Sequence, residues 1–319
     1  MKAMEYSVII RTIGKAGLKY QRLLDSIRNS TIQPKDVIVV LPEGYDPPAE
    51  QLGYERFLYC QRGMVTQRIV GIEHCSTDFA LILDGDIAFE PDFIHKVSAP
   101  VVEGEYGLSA GPLTEFFPKS GKQSFINAVL GQAVPTVFHK DMYNTILKIA
   151  GYSYNRHLKK NMIYETQSAP WTCFFANITK LKSIYFEDEI WLDLNGYSAY
   201  DDIAMFYKAW LCGVKTVIVA DAHYQHLDAG TSRSGINTKY YFNRGFNSYE
   251  FWKRMICNNS NHLNKSLYYI PFRYHELMAK YFYRLTKGKD SSKAFCLGCT
   301  KAREWVKSDE YLNLPPIKY

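Results

Sequence analysis

Along the first ninety or so residues, short unbroken apolar runs alternate with stretches in which apolar residues recur every three or four positions. Ser7-Val8-Ile9-Ile10 is rich in β-branched residues, as expected of a strand buried on both faces. Tyr20 to Ile27 carries its apolar residues at helical spacing, and beyond Pro34 the run Asp36-Val37-Ile38-Val39-Val40-Leu41 predicts a second strand. Strand, helix and strand in succession imply a parallel pair joined by a right-handed crossover. Pro42 to Pro48 reads as a loop, and Gly63 to His74 as a second amphipathic helix with Val65, Ile69 and Ile72 on one face. Phe79 to Leu83 is then a third buried strand that runs straight into Asp84-Gly85-Asp86.

Downstream the pattern is weaker. Pro91 to Val97 predicts a helix. Gly104 to Gly151 mixes turns with a strand expected at Val134 to Phe138 and a helix from Asp141. Trp171 to Phe175 is an aromatic strand, and Asp201 to Cys212 a helix closed by Gly213, a frequent helix stop. Val214 to Ala220 is a further buried strand, and after His226 a glycine- and serine-rich loop leads to a largely helical tail. The expected fold class is α/β, a mostly parallel central sheet flanked by helices over residues 1–250, with a helical C-terminal extension over 251–319.

Composition changes this picture little. A hydrophobic fraction of 47% with 22% charged residues is that of a globular domain with a sizeable core, not of a disordered chain. The 25 tyrosines supply flat faces with a polar edge, suited to sugar stacking and equally to ordinary packing. The net charge of +6 is weighted toward the segment after Lys239, but no nucleic-acid motif accompanies it, so nucleic acid is not an expected partner. Seven irregularly spaced cysteines suggest reduced thiols rather than a disulfide framework, and the pair Cys296 and Cys299 lacks the second pair that a zinc site needs. The N-terminus carries no signal-peptide pattern, and no run approaches the roughly 20 apolar residues that span a bilayer. A cytoplasmic location is therefore expected.

Three motifs carry candidate chemistry. Asp84 and Asp86 stand at the carboxyl end of a parallel strand, where open α/β sheets bind ligands, and two carboxylates there suit a divalent cation. The plain alternative is an Asp-Gly turn. Tyr200-Asp201-Asp202 opens a helix: such acids commonly complement the helix dipole, but a carboxylate placed there also suits a general base. His223-Tyr224-Gln225-His226 follows the last strand and offers a metal or phosphate ligand.

The order of these pieces resembles the family 2 glycosyltransferases and their GT-A-type nucleotide-binding fold, with rhamnosyltransferase-like members the nearest in pattern. Asp84-Gly85-Asp86 matches the family's Asp-x-Asp motif, and Gln67-Arg68-Ile69-Val70-Gly71 its donor-side helix. Tyr200-Asp201-Asp202-Ile203, with Lys208 and Gly213 beyond it, is similar to its Glu-Asp helix. Tyr240-Tyr241-Phe242-Asn243-Arg244 resembles the tyrosine-rich stretch that follows the core. The resemblance covers residues 5 to 250 and departs at two places. Arg11-Thr12 stands where Pro-Thr is usual, and Leu41-Pro42-Glu43-Gly44 where Asp-Asp-Gly-Ser is common, with Glu43 a displaced substitute.

The resemblance implies an inverting, metal-dependent transfer of a hexosyl or deoxyhexosyl group from a nucleotide-sugar donor to a hydroxyl of a glycan or lipid-linked glycan, in polysaccharide or glycolipid assembly. It makes Asp202 the base with Asp201 beside it, and sets Thr12, Glu43, Arg68 and Asp84 around the donor. Asp84, Asp86 and His226 are the expected ligands of a Mn or Mg ion. Two other readings compete: a haloacid-dehalogenase-like phosphatase, whose Asp-x-Asp ordinarily follows the first strand, and a binding protein of the same fold without turnover. The extension reads either as a cap on the catalytic domain, which is favoured, or as a peripheral contact with the inner face of the cytoplasmic membrane.

Overall fold

The computed structural model describes residues 4–137, 140–196, 199–227, 238–260 and 262–317. The N-terminal reading holds closely: β1 (Tyr6–Arg11), α1 (Leu18–Arg28) and β2 (Asp36–Pro42) form the first crossover unit. An edge strand that the pattern did not disclose, β3 (Arg56–Cys60), comes next; it is only half-buried and has no unbroken apolar run. Then follow α2 (Met64–Glu73), β4 (Phe79–Asp84), β5 (Ile87–Phe89), α3 (Phe93–Val102) and β6 (Leu108–Ala110).

The middle departs from expectation. Helix α4 (Lys122–Val129) precedes β7 (Ala133–Pro135), which is the start of the strand predicted to reach Phe138; Phe138 itself lies outside the described residues. No helix starts at Asp141. Instead β8 (Asn144–Ile146) forms a hairpin with β9 (Tyr152–Tyr154), because Thr145 and Ile146 find cross-strand partners and Tyr143 is buried. The remaining elements are β10 (Ile163–Thr166), β11 (Cys173–Asn177), α5 (Ile178–Lys182), α6 (Asp201–Leu211), β12 (Thr216–Val219) and β13 (Tyr224–His226). Last come α7 (Thr238–Phe251), a π-helical turn (Trp252–Cys257), α8 (His262–Thr286), α9 (Lys289–Trp305) and α10 (Asp309–Leu312). The predicted helix over 201–212 and its stop at Gly213, which has φ 75°, are both present.

Among the described residues the central sheet has eight strands in the order β10-β12-β6-β11-β4-β1-β2-β3. All are parallel except β11 and β10, so this is a mostly parallel GT-A-type α/β sheet. Strand alternation divides the core. Ile9, Ile38, Val40 and Ile82 face Val65 of α2 and Phe206 of α6, whereas Val8, Ile10, Val39 and Leu83 face Leu23, Ile27 and Phe93 of α1 and α3. Gly71 lets α2 lie directly on β1, because a Cβ there would collide with Ile9.

The C-terminal helices are tied down twice. Glu189, fully buried in a 3-10 segment (Phe186–Asp193), accepts Arg254 Nη2 at 2.8 Å, Lys208 Nζ at 2.8 Å and the Trp191 indole at 2.6 Å. Burial alone would raise its pKa, but Arg254 and Lys208 outweigh that and lower it. Helices α7 and α9 also approach so closely that a Cβ at Gly245 or Gly298 would meet a backbone carbonyl of the facing helix. Gly298→Ala should therefore destabilise the protein by about 1–3 kcal/mol through overpacking, while the exposed neighbour change Lys293→Ala should stay within about 0.5 kcal/mol. Urea unfolding of the two variants checks this.

Candidate active site

The carboxyl end of the sheet places the candidate residues. Asp84 is the last residue of β4, and the parallel register sets it directly beside Arg11 at the end of β1. Arg11 forks onto it, Nε to Oδ1 at 3.0 Å and Nη2 to Oδ2 at 2.8 Å. From the other side α2 delivers Arg68, which is 1% exposed. Its Nη2 donates to Asp84 Oδ1 at 2.8 Å and to the Trp171 carbonyl at 3.2 Å. Its Nη1 donates to the Met64 carbonyl at 3.1 Å and reaches Asp201 Oδ2 at 3.5 Å. The guanidinium also lies 4.2 Å from the centre of the Trp171 ring. Burial lowers the Arg68 pKa, and the neighbouring Arg11 adds to this against the pull of Asp84 and Asp201. Burial acts on Arg11 in the same sense, but Asp84 overcomes it and the pKa rises.

Asp86 and His226 are 140 positions apart in sequence and meet through a two-stranded ribbon. β13 pairs antiparallel with β5, setting His226 opposite Ile87, and the Leu227 amide donates to the Asp86 carbonyl at 2.8 Å. His226 Nε2 lies 3.4 Å from Asp86 Oδ1, and the ligand atoms of Asp84, Asp86 and His226 all fall within 4.8 Å of one another. Thr12 packs against this turn: a Cβ on Gly85 would lie 2.8 Å from Thr12 Oγ1, so only glycine fits there.

The acid pair opens α6. Tyr200 takes a left-handed conformation, φ 74°, which is uncommon for a non-glycine residue, and the chain then enters the helix with Asp201 and Asp202 in its first turn. Burial pushes the Asp201 pKa up to about 7, with Arg68 opposing and the charge of Asp202 adding. Burial also raises Asp202, against the Ile203 amide that donates to its Oδ1 at 2.7 Å.

Arg68, Asp84, Asp201 and Asp202 all line one cavity of about 320 Å³. Phe116, Phe117, Tyr143 and Tyr152 also line it, as do Tyr200, Tyr240 and Arg244. Arg244 donates to Tyr240 Oη at 3.3 Å, lies 5.9 Å from the Tyr200 ring centre and has no carboxylate partner among the described residues. Glu43 is exposed on the turn after β2 and does not line this cavity. Beside it, Tyr45 lies between Lys15 at 5.1 Å and Arg62 at 5.8 Å. His223 belongs to a separate surface depression beside α1. Cys296 and Cys299 are free thiols on α9.

The sequence reading missed Arg11 as a partner of Asp84, although a charged residue closing a buried strand was a signal. It also missed Trp171, Tyr143 and Tyr152, whose aromatic character gives no sign of facing a cavity.

No protein-family model matches the chain, and no curated protein matches it significantly in sequence. Solved structures do. A crystal structure of S. aureus TarS residues 1–349 superposes with a TM-score of 0.51 at 15% identity, over 93% of this chain and 79% of that one. The same protein in complex with UDP-GlcNAc gives 0.51 at 14% identity, over 92% and 79%. This likeness is one of fold.

Arg68→Met leaves Asp84 buried with one cation instead of two, and breaking such a pair should cost about 3–5 kcal/mol in urea unfolding at neutral pH. Arg11→Met should cost less, because the Arg11 side chain is 19% exposed and water replaces part of the interaction.

Proposed function

We propose that the chain is a nucleotide-sugar-dependent glycosyltransferase of the family 2 type that inverts the anomeric carbon in one displacement. The carrying observation is the convergence, at the carboxyl end of the sheet, of an acid pair and the Asp84/Asp86/His226 cluster on either side of Arg68. The superposition on a protein crystallised with UDP-GlcNAc supports a nucleotide-sugar donor.

Two carboxylates and an imidazole within reach of one point suit a Mn or Mg ion. Both oxygens of Asp84 already accept from arginine, so Asp86 and His226 are the principal ligands, with Asp84 completing the set. When bound, such a cation offsets charge on the departing diphosphate. The base and ribose are assigned to the rim between β1 and β2, by Thr12, Glu43 and Tyr45.

Asp202 is the base. Asp201 is paired with Arg68, which is held by Asp84. Asp202 has no close arginine contact among the described residues, feels Arg68 and Arg244 at longer range and lies near Tyr152 in the cavity, where an acceptor has room. The acceptor oxygen forms its bond to the anomeric carbon as the bond to phosphate breaks, its proton passes to Asp202, and the nucleoside diphosphate leaves. The tyrosine and phenylalanine wall offers ring faces for a glycan. The finer setting, polysaccharide or glycolipid assembly on the cytoplasmic side of a membrane, is part of the same proposal.

A thermal-shift screen of nucleoside diphosphates with and without Mn or Mg tests the donor site. One base should raise the stability in a metal-dependent way, by about 2.7 kcal/mol at 100 times its dissociation constant, and Asp86→Ala should abolish the effect. No response to any base would overturn the reading. Once a donor and acceptor are found, Asp202→Asn should lower kcat by about 10²–10⁴ while keeping the nucleotide response. Because burial raises the Asp202 carboxyl and the base must be ionised, kcat should fall as pH drops, and the fall should begin above the ordinary carboxylate range.

A further inference from the structure

Helix α8 has two apolar faces. Phe272, Ala279 and Tyr283 are buried against the rest of the molecule. On the opposite side Leu267, Ile270, Tyr274, Leu277, Tyr281 and Leu285 recur at intervals of three and four residues, each between 45% and 84% exposed. At 100° per residue the six form one stripe, about 27 Å long. Single exposed apolar residues are ordinary, but an aligned row on one helix marks a surface that is covered.

Charge identifies what covers it. Residues 251–319 contain 13 Lys and Arg against 5 Asp and Glu, whereas residues 1–250 contain 25 against 27. The positive charge of the whole chain thus resides in its last fifth. Exposed Arg273, Lys280 and Arg284 flank the stripe on one side, Arg273 sharing Glu276 with Arg303. A second copy of α8 is a poor match. With the stripe as a coiled-coil seam, the flanking positions hold Arg273 and Lys280 on one side and Pro271 and Met278 on the other, with no acid to pair across the interface. Among the described residues no helix is long and apolar enough to cross a membrane.

We infer that α8 lies flat on a lipid bilayer that carries anionic headgroups, its apolar stripe sunk to the headgroup boundary and its basic flank against the phosphates. Tyr281 of the stripe suits that boundary, where an apolar ring meets a polar edge, while the Tyr274 hydroxyl is bonded to the Val129 carbonyl and leaves its ring in the stripe. This inference does not rest on the transferase reading.

Vesicle co-sedimentation of the full chain tests it, with phosphatidylcholine alone and with phosphatidylcholine mixed with phosphatidylglycerol. Binding should appear with the anionic vesicles and weaken in high salt. Ile270→Glu with Leu277→Glu should abolish it, and Lys280→Glu with Arg284→Glu should weaken it by at least about tenfold. All four positions are exposed, so these variants should fold, which circular dichroism and unchanged thermal unfolding check. No binding to anionic vesicles by the parent chain overturns the inference, as does binding that the stripe variant retains. Self-association by light scattering, lost in the stripe variant and unaccompanied by vesicle binding, assigns the stripe to a second copy instead and overturns it equally.

Discussion

A single buried guanidinium, that of Arg68, holds the site together. It touches Asp84 at the end of a strand, Asp201 at the start of a helix and the Trp171 carbonyl between them, so three parts of the chain distant in sequence share one rigid fork. Burying such a group is costly unless every partner is in place, and a whole network of this kind replaced by packed apolar side chains is often at least as stable. The gain is in geometry. The planar fork fixes the distance between the Asp84 turn and the acid pair, which a flexible lysine would not do.

Electrostatics at this point is unbalanced. Arg11, Arg68 and Arg244 face Asp84, Asp86, Asp201 and Asp202, a formal shortfall of one positive charge before any ligand arrives. Asp84 takes both arginines at close range, so the shortfall falls on the others. Asp201 and Asp202, desolvated and adjacent, respond by holding protons to higher pH. A divalent cation beside Asp86 and His226 would supply the missing charge, and a diphosphate would then find a site no longer repulsive to it. The strain at Tyr200 fits the same pattern, an unfavourable conformation kept where it aims functional groups.

The sequence disclosed the parts of the fold in which a strand is buried on both faces. β1, β2, β4 and β12 are largely apolar runs, and the crossover rule makes β1 and β2 parallel neighbours, as they are. It failed where strands are three residues long or lie at an edge. Thr145 and Ile146 belong to a hairpin because of their partners Ser153 and Tyr152 in the next strand, and β3 lacks a buried face of its own. The acids of the site were legible because strand ends and helix starts are positions with known chemistry. Arg11 was visible as a charged residue closing a buried strand. That it forks onto Asp84 follows from the register between β1 and β4, which no local pattern contains. Glu43 is exposed on the turn after β2, outside the cavity that Asp84, Asp201 and Asp202 line.

The helical tail is part of the site rather than an appendage. Its first helix supplies Tyr240 and Arg244 to the cavity, and its π turn supplies Arg254 to Glu189, which also holds Lys208 of the helix that carries the acid pair. A mechanical path also runs from α8 to the cavity wall. Tyr274 Oη donates to the Val129 carbonyl and His275 Nδ1 meets the Leu130 carbonyl, both at 2.9 Å, which fixes the end of α4. Ser124 of α4 in turn meets Tyr154 Oη at 3.0 Å, and Tyr154 stacks on Phe117 at 4.8 Å between ring centres. Phe117 lines the cavity. Helix α8 therefore braces one wall of the cavity through packed side chains of α4 and β9, on elements outside the central sheet. The same helix carries the exposed apolar stripe, so the surface it presents outward and the wall it supports are set by one rigid element.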